Sequence, residues 1–186
     1  MNEFIRVPYG STVHGDDEIN AVVDVLKTTT QMSKNVREFE SKVAEKYSKD
    51  FGIMVNSGTS ALYLAIEAMN FPKNGEVITP ALTFGTTIAS LVNNELIPVF
   101  VDVKKNTYCI DETQIEEKIN ENTVAIAAPD LMGNICEWPL IRDLADKYNL
   151  KILVDSADTI GATYNGVSTG TFADVAITSF YGSHII

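Results

Sequence analysis

Four short stretches of this 186-residue chain put chemically capable side chains where an apolar run gives way to a turn. The first is Asn56-Ser57-Gly58-Thr59-Ser60, between an apolar run and an amphipathic pattern. Gly58 permits a tight turn, and the free N–H groups of a helix start, helped by Ser and Thr hydroxyls, can receive an anion. The same residues are ordinary helix caps, so cap and phosphate site stand as near-equal readings. The second is Thr79-Pro80-Ala81-Leu82-Thr83-Phe84, where Phe84 either covers a flat ring or packs as core.

The third, Lys151-Ile152-Leu153-Val154-Asp155-Ser156-Ala157-Asp158, is the strongest single feature. A carboxylate directly after a buried strand is costly unless paired, so Asp155 requires a partner. A protonated heteroaromatic nitrogen would serve; so would the following turn, if Asp155 simply caps it. The fourth runs from Ile177 to Ile186, with Ser179 as a second anion donor and His184 as the one titratable base nearby in sequence. Spacing alone makes His184 a packed or surface residue. A Ser-His-Asp hydrolase can be written down from these residue types, but the nucleophile-elbow sequence is missing.

The elements that must position these residues follow from periodicity. Gly15–Thr29 reads as a helix, with Ile19, Val22, Val23 and Leu26 on one face and acidic Asp16, Asp17 and Glu18 in its first turn. Ser33 caps a second helix carrying Val36, Phe39, Val43 and Tyr47, and Met1–Thr12 reads as an extended arm. Strands are expected at Phe51–Val55, Glu76–Ile78, Leu96–Val103, Val124–Ala128, Ile152–Val154 and Asp174–Ser179. Helices fall at Ser60–Met69, Thr86–Val92 and Trp138–Tyr148, and one more is capped by Asp111 with Gln114 three residues on. Near-continuous apolar strands separated by helices make an α/β fold, a buried, mostly parallel sheet with helices on both faces. Ligands gather at the carboxyl ends of such strands.

Composition sets the outer bounds. A net charge of -11 opposes broad nucleic-acid binding, which needs clustered Lys and Arg. Cys109 and Cys136 share no ligand spacing with His14 or His184 and read as reduced thiols, with no metal site. No apolar run is long enough to span a membrane, and a soluble cytoplasmic protein is expected. Neither a dinucleotide glycine fingerprint nor a lysine-bearing phosphate loop is present.

Taken in order, these stretches resemble the DegT/DnrJ/EryC1/StrS sugar aminotransferase family of pyridoxal-phosphate enzymes. The resemblance runs from the Gly15–Leu26 helix and Val36–Phe39 through Asn56–Ala61, Thr79–Phe84, Val101–Val103 and Tyr108–Asp111. It continues through Asp155–Asp158, Gly161–Ala162 and Tyr164–Gly166 to Ser179-Phe180. It implies the large domain of a fold-type-I enzyme, residues 1–186 being the arm and cofactor-binding domain, with a small carboxyl-terminal domain missing. By position it implies that Gly58, Thr59, Ser60 and Ser179 hold the cofactor phosphate and that Phe84 stacks on the pyridine ring. Asp155 would pair with the pyridinium nitrogen. Asp158 lies where the aminotransferases commonly carry Gln or His.

The family's Schiff-base lysine sits in a Ser-Phe-x-x-x-Lys pattern, and here Ser179-Phe180 leads to His184. Imidazole cannot form a Schiff base with pyridoxal phosphate, but it moves protons near neutral pH. This arrangement resembles the nucleotide-sugar 3-dehydratases, which use pyridoxamine phosphate. The implied chemistry is loss of the C3 hydroxyl from a 4-keto-6-deoxy sugar nucleotide, with His184 as base, in a homodimer served by a reductase partner. An aminotransferase with an altered lysine site and a non-catalytic binding domain are the alternatives.

Overall fold

The computed structural model describes residues 5, 7, 10, 13–31, 34–182 and 184. Most of the arm read at Met1–Thr12, and the cap at Ser33, lie outside them.

Five parallel strands form the central sheet: β1 (Glu76–Pro80), β2 (Ile97–Val101), β3 (Thr123–Pro129), β4 (Lys151–Asp155) and, after a two-residue hairpin of β5 (Thr163–Tyr164) and β6 (Val167–Ser168), β7 (Val175–Ile177). Their order is β2-β1-β3-β4-β7. Alternate residues of β1, β3, β4 and β7 feed two separate cores, and the edge strand β2 adds Val99 and Val101 to one of them. Ile78, Ile126, Ile152 and Val154 pack with Trp138, Ile141 and Ala145 of α5 (Trp138–Tyr148). Val77, Ala127 and Leu153 pack with Leu62 and Ile66 of α3 (Gly58–Ala68) and Leu91 of α4 (Gly85–Asn93). Burial on both faces is why the strands read as unbroken apolar runs. Each fully buried Ile or Leu here contributes about 1.5–3 kcal/mol.

Local chemistry sets the helix ends. α1 (Asp16–Thr28) opens at Gly15, whose N–H donates to the Glu18 carboxylate at 2.7 Å. In α3 the Ser57 hydroxyl caps the Ser60 N–H at 3.1 Å. α5 has Pro139 in its first turn and ends on Asn149 in the left-handed conformation, φ 55°. α2 (Lys34–Lys46) packs through Phe39 onto Phe180, ring centroids 4.9 Å apart, and so braces the stretch leading to His184.

Two expectations are corrected. Phe51–Val55 forms no strand: it pairs with no strand among the described residues, and Phe51 and Ile53 are 88% and 82% exposed. An apolar run reports a buried strand only where a neighbour exists to bond it. The segment after Asp111 is two short 3-10 turns, Glu112–Gln114 and Glu116–Lys118, in place of an α-helix. There the Gln114 side-chain amide donates to the Asp111 carboxylate at 2.9 Å, and the Gln114 N–H donates to the Asp111 carbonyl at 3.1 Å. The apolar stripe of α1 lies uncovered, with Ile19, Val22 and Leu26 all more than half exposed. Among the described residues no helix is long and apolar enough to cross a membrane, and no group of three or more His, Cys, Asp or Glu could hold a metal ion.

Candidate active site

The residues singled out in sequence converge on the carboxyl edge of the sheet. Asp155 ends β4 and is 6% exposed. Two donors hold its carboxylate: the Thr87 hydroxyl at 3.2 Å on Oδ2 and the Ala157 N–H at 3.2 Å on Oδ1. Burial pushes its pKa up, while these two hydrogen bonds and the charge of His184 draw it down and Asp158 adds to the rise. The turn after β4 is therefore capped by Asp155, yet the cap leaves the carboxylate facing the strand ends.

Phe84 is the N-cap residue of α4 and 73% exposed, so it is no part of the core. Thr87 lies one turn on, 1% exposed, and its N–H donates to the Phe84 carbonyl at 3.0 Å. The same helical turn thus carries a bare aromatic face and the donor that grips Asp155. Periodicity gave no sign of Thr87, because one hydroxyl inside an amphipathic helix looks like any other.

Gly58 and Ser179 meet across the sheet edge. A Cβ built on Gly58 would lie 3.1 Å from Ser179 Cβ and 3.3 Å from its hydroxyl. The first N–H groups of α3 and the Ser179 hydroxyl consequently border one small space, a geometry suited to an anion. Ser60 stands apart from it: its N–H is taken by Ser57, whose hydroxyl also donates to the Ser60 oxygen at 3.1 Å. Thr59 and Ser60 line a groove between α3 and α4 with Tyr63 and Ser90.

Asp158 and His184 form the remaining pair. One Asp158 oxygen accepts the Met132 N–H at 3.1 Å; the other lies 3.9 Å from His184 Nε2. Met132 sits in the left-handed region at φ 55°, so the Asp158 carboxylate pins a strained turn beside the histidine. Tyr181 meets the imidazole edge-on, 5.7 Å between centroids, and its carbonyl accepts the His184 N–H at 2.8 Å. The imidazole is about one-fifth exposed, sheltered but reachable.

Sequence reading also passed over Asp130, which follows β3 as Asp155 ends β4. It is 1% exposed, and its Oδ1 accepts from Trp138 Nε1 at 2.8 Å and from the Cys136 N–H at 2.9 Å. Its N–H donates to the Asp155 carbonyl at 3.0 Å. Burial raises its pKa to about 6. The signal that marked Asp155, a carboxylate directly after a buried strand, was equally present here. Its two hydrogen bonds fasten the start of α5. Cys109 and Cys136 are both buried and free.

Comparison with known proteins bears on this arrangement. The model of the DegT/DnrJ/EryC1/StrS aminotransferase family matches residues 13–186. The chain is 37% identical over 187 residues to a dTDP-4-dehydro-2,6-dideoxy-D-glucose 3-dehydratase of Saccharopolyspora spinosa, covering 96% of this chain and 40% of that protein. It is 32% identical over 188 residues to a GDP-perosamine synthase of Caulobacter vibrioides, covering 100% of this chain and 51% of that protein. Among solved structures, a histidine-to-asparagine variant of GDP-4-keto-6-deoxymannose-3-dehydratase with bound GDP-perosamine superimposes with a TM-score of 0.90 at 30% identity, covering 96% of this chain and 48% of that one. The chain therefore spans about half the length of the relatives it matches. Solved relatives include forms carrying pyridoxal phosphate or pyridoxamine phosphate.

Proposed function

We propose, because the chain belongs to the DegT/DnrJ/EryC1/StrS aminotransferase family, that its protein is a pyridoxamine-phosphate-dependent 3-dehydratase. Its substrate is a 4-keto-6-deoxy nucleotide-diphospho-sugar, and residues 1–186 are the arm and the cofactor-binding large domain. The family uses pyridoxal and pyridoxamine phosphate, and the residues at the strand ends fit such a group. Asp155 is a buried carboxylate that suits a ring nitrogen, Phe84 offers an open aromatic face, and a Cβ would crowd the cradle at Gly58.

The observation that carries the reading is His184 beside Asp158, Nε2 to Oδ1 3.9 Å, at the position where the family's pattern has lysine. Pyridoxamine phosphate supplies an amine for the sugar ketone and an electron-accepting ring. Gly58, Thr59 and Ser179 hold its phosphate. Phe84 stacks on the ring, and Asp155 keeps the ring nitrogen protonated. His184 would take a proton from the C4′ atom as the C3 hydroxyl departs, and Asp158, 3.9 Å from its Nε2, would orient the imidazole. Imidazole cannot tether the cofactor covalently, which suits a cofactor that arrives as the free amine. The same reading has the protein working as a cytoplasmic homodimer, with a reductase partner supplying electrons.

Amination is the second reading, favoured by the 32% identity to a GDP-perosamine synthase along the whole chain. The full-length protein, incubated with pyridoxamine phosphate, an electron-donating reductase and a GDP- or dTDP-linked 4-keto-6-deoxyhexose, is expected to form a product lacking the C3 oxygen. Accumulation of an aminated sugar with glutamate, and no loss of the C3 oxygen, would sink the dehydratase reading.

A further inference from the structure

We propose that Thr87 is a positioning residue that holds Asp155 against the cofactor's ring nitrogen, so that the first turn of α4 sets both the stacking face and its charge partner. This rests on the cofactor-site reading above and adds a residue to it. Thr87 is 1% exposed, and its hydroxyl reaches 68 positions along the chain to Asp155 Oδ2 at 3.2 Å. A buried helical Thr ordinarily turns its hydroxyl back onto the carbonyl one turn earlier; this one goes to a carboxylate. Burial alone would favour valine, which has the same shape and no hydroxyl to satisfy.

Two donors leave Asp155 little freedom to rotate. With Ala157 N–H on Oδ1 and Thr87 Oγ1 on Oδ2, the carboxylate plane is set, and its remaining lone pairs are left for a third partner. Hydrogen bonds to the charged form also favour ionisation in a place where burial opposes it and raises the pKa on balance. Phe84 shares the arrangement, since its carbonyl accepts the Thr87 N–H at 3.0 Å. A shift in the start of α4 would move the ring platform and loosen Asp155 together.

The test uses Thr87→Val and Thr87→Ser in the full-length protein. Equilibrium dialysis would measure binding of pyridoxamine phosphate and of its analogue with carbon in place of the ring nitrogen. Thr87→Val is expected to weaken pyridoxamine phosphate about tenfold, the effect of losing one hydrogen bond to a charged group. It should leave the carbon analogue unchanged, and Thr87→Ser should bind both ligands as the parent protein does. Equal weakening of both ligands by Thr87→Val, no weakening of either, or failure of Thr87→Ser to restore binding would overturn the proposal. Because binding is measured without turnover, an aminated product would refute the dehydratase reading and leave this pattern standing.

Discussion

Gly58 and Ser179 approach so closely that a side chain on residue 58 would press on the serine, at 3.1 Å from its Cβ and 3.3 Å from its hydroxyl. The glycine belongs to the first turn of α3, and the serine lies just past β7. The two segments meet only because β7 adds to β4 in parallel, with Asp155 opposite Ile177. One register brings the anion cradle and the Asp155 carboxylate to the same edge of the sheet.

Gly58→Ala tests the cradle directly. The added methyl displaces Ser179 by a few tenths of an ångström without touching the cores. Affinity for pyridoxamine phosphate is expected to fall about tenfold, equivalent to about 1.4 kcal/mol. Affinity for pyridoxamine lacking the phosphate should hardly change. Parallel losses for both compounds would place the anion elsewhere.

His184→Asn removes the proposed base and leaves a shorter polar side chain in its place. Elimination of the C3 hydroxyl is expected to slow by a factor on the order of 10²–10⁴, the usual contribution of a positioned general base. Cofactor affinity should persist, because in the proposed site the phosphate, ring face and ring nitrogen are served by other residues. Single-turnover assays with the preloaded protein provide the measurement. Undiminished elimination would remove His184 from the chemistry.

Much of this was legible in the chain, and the exceptions share a cause. Val124–Ala128 and Ile152–Val154 announced a buried sheet because both faces are covered, and every residue of the two runs but half-buried Val124 is buried. Phe51–Val55 carries the same apolar signal, but a strand exists only through its neighbour, and a neighbour is not written in the run itself. Thr87 stayed hidden for a similar reason: its role lies in a contact with Asp155, far along the chain. Asp130 is different. The rule that singled out Asp155 applied to it word for word, and its partners Trp138 and Cys136 lie within one turn and loop.

Gly170 shows how tightly the layer behind the site is packed. A Cβ there would run into the Tyr47 carbonyl oxygen and lie 2.7 Å from Tyr47 Cβ and 2.8 Å from its carbonyl carbon. Backbone cannot yield as a flexible side chain would. Gly170→Ala is therefore expected to destabilise the protein by about 1–3 kcal/mol. A urea titration would read this as a lower midpoint at unchanged slope. An unshifted midpoint would mean that the end of α2 moves freely over this turn.

Asp130 makes stability depend on pH with a definite sign. Burial raises its folded pKa to about 6 from the ordinary 3.8. Below the lower value the carboxyl is protonated whether the chain is folded or not, and its contribution is at its most favourable. Between the two values the unfolded chain releases the proton and the folded one retains it, so stability falls as pH rises. Above the folded value the loss is complete, on the order of 3 kcal/mol. Asp130→Asn keeps an oxygen for the Trp138 and Cys136 donors and removes the titration. Relative to the parent, the variant should gain stability steadily from about pH 4 to about pH 6, reaching roughly 1–3 kcal/mol at neutral pH. Asp155 is present in both proteins, so its own titration largely cancels in the difference. The single tryptophan, Trp138, is fully buried against Asp130, and its fluorescence during urea unfolding at each pH supplies the free energies. A difference that stays flat across this range would show that Asp130 ionises as easily folded as unfolded.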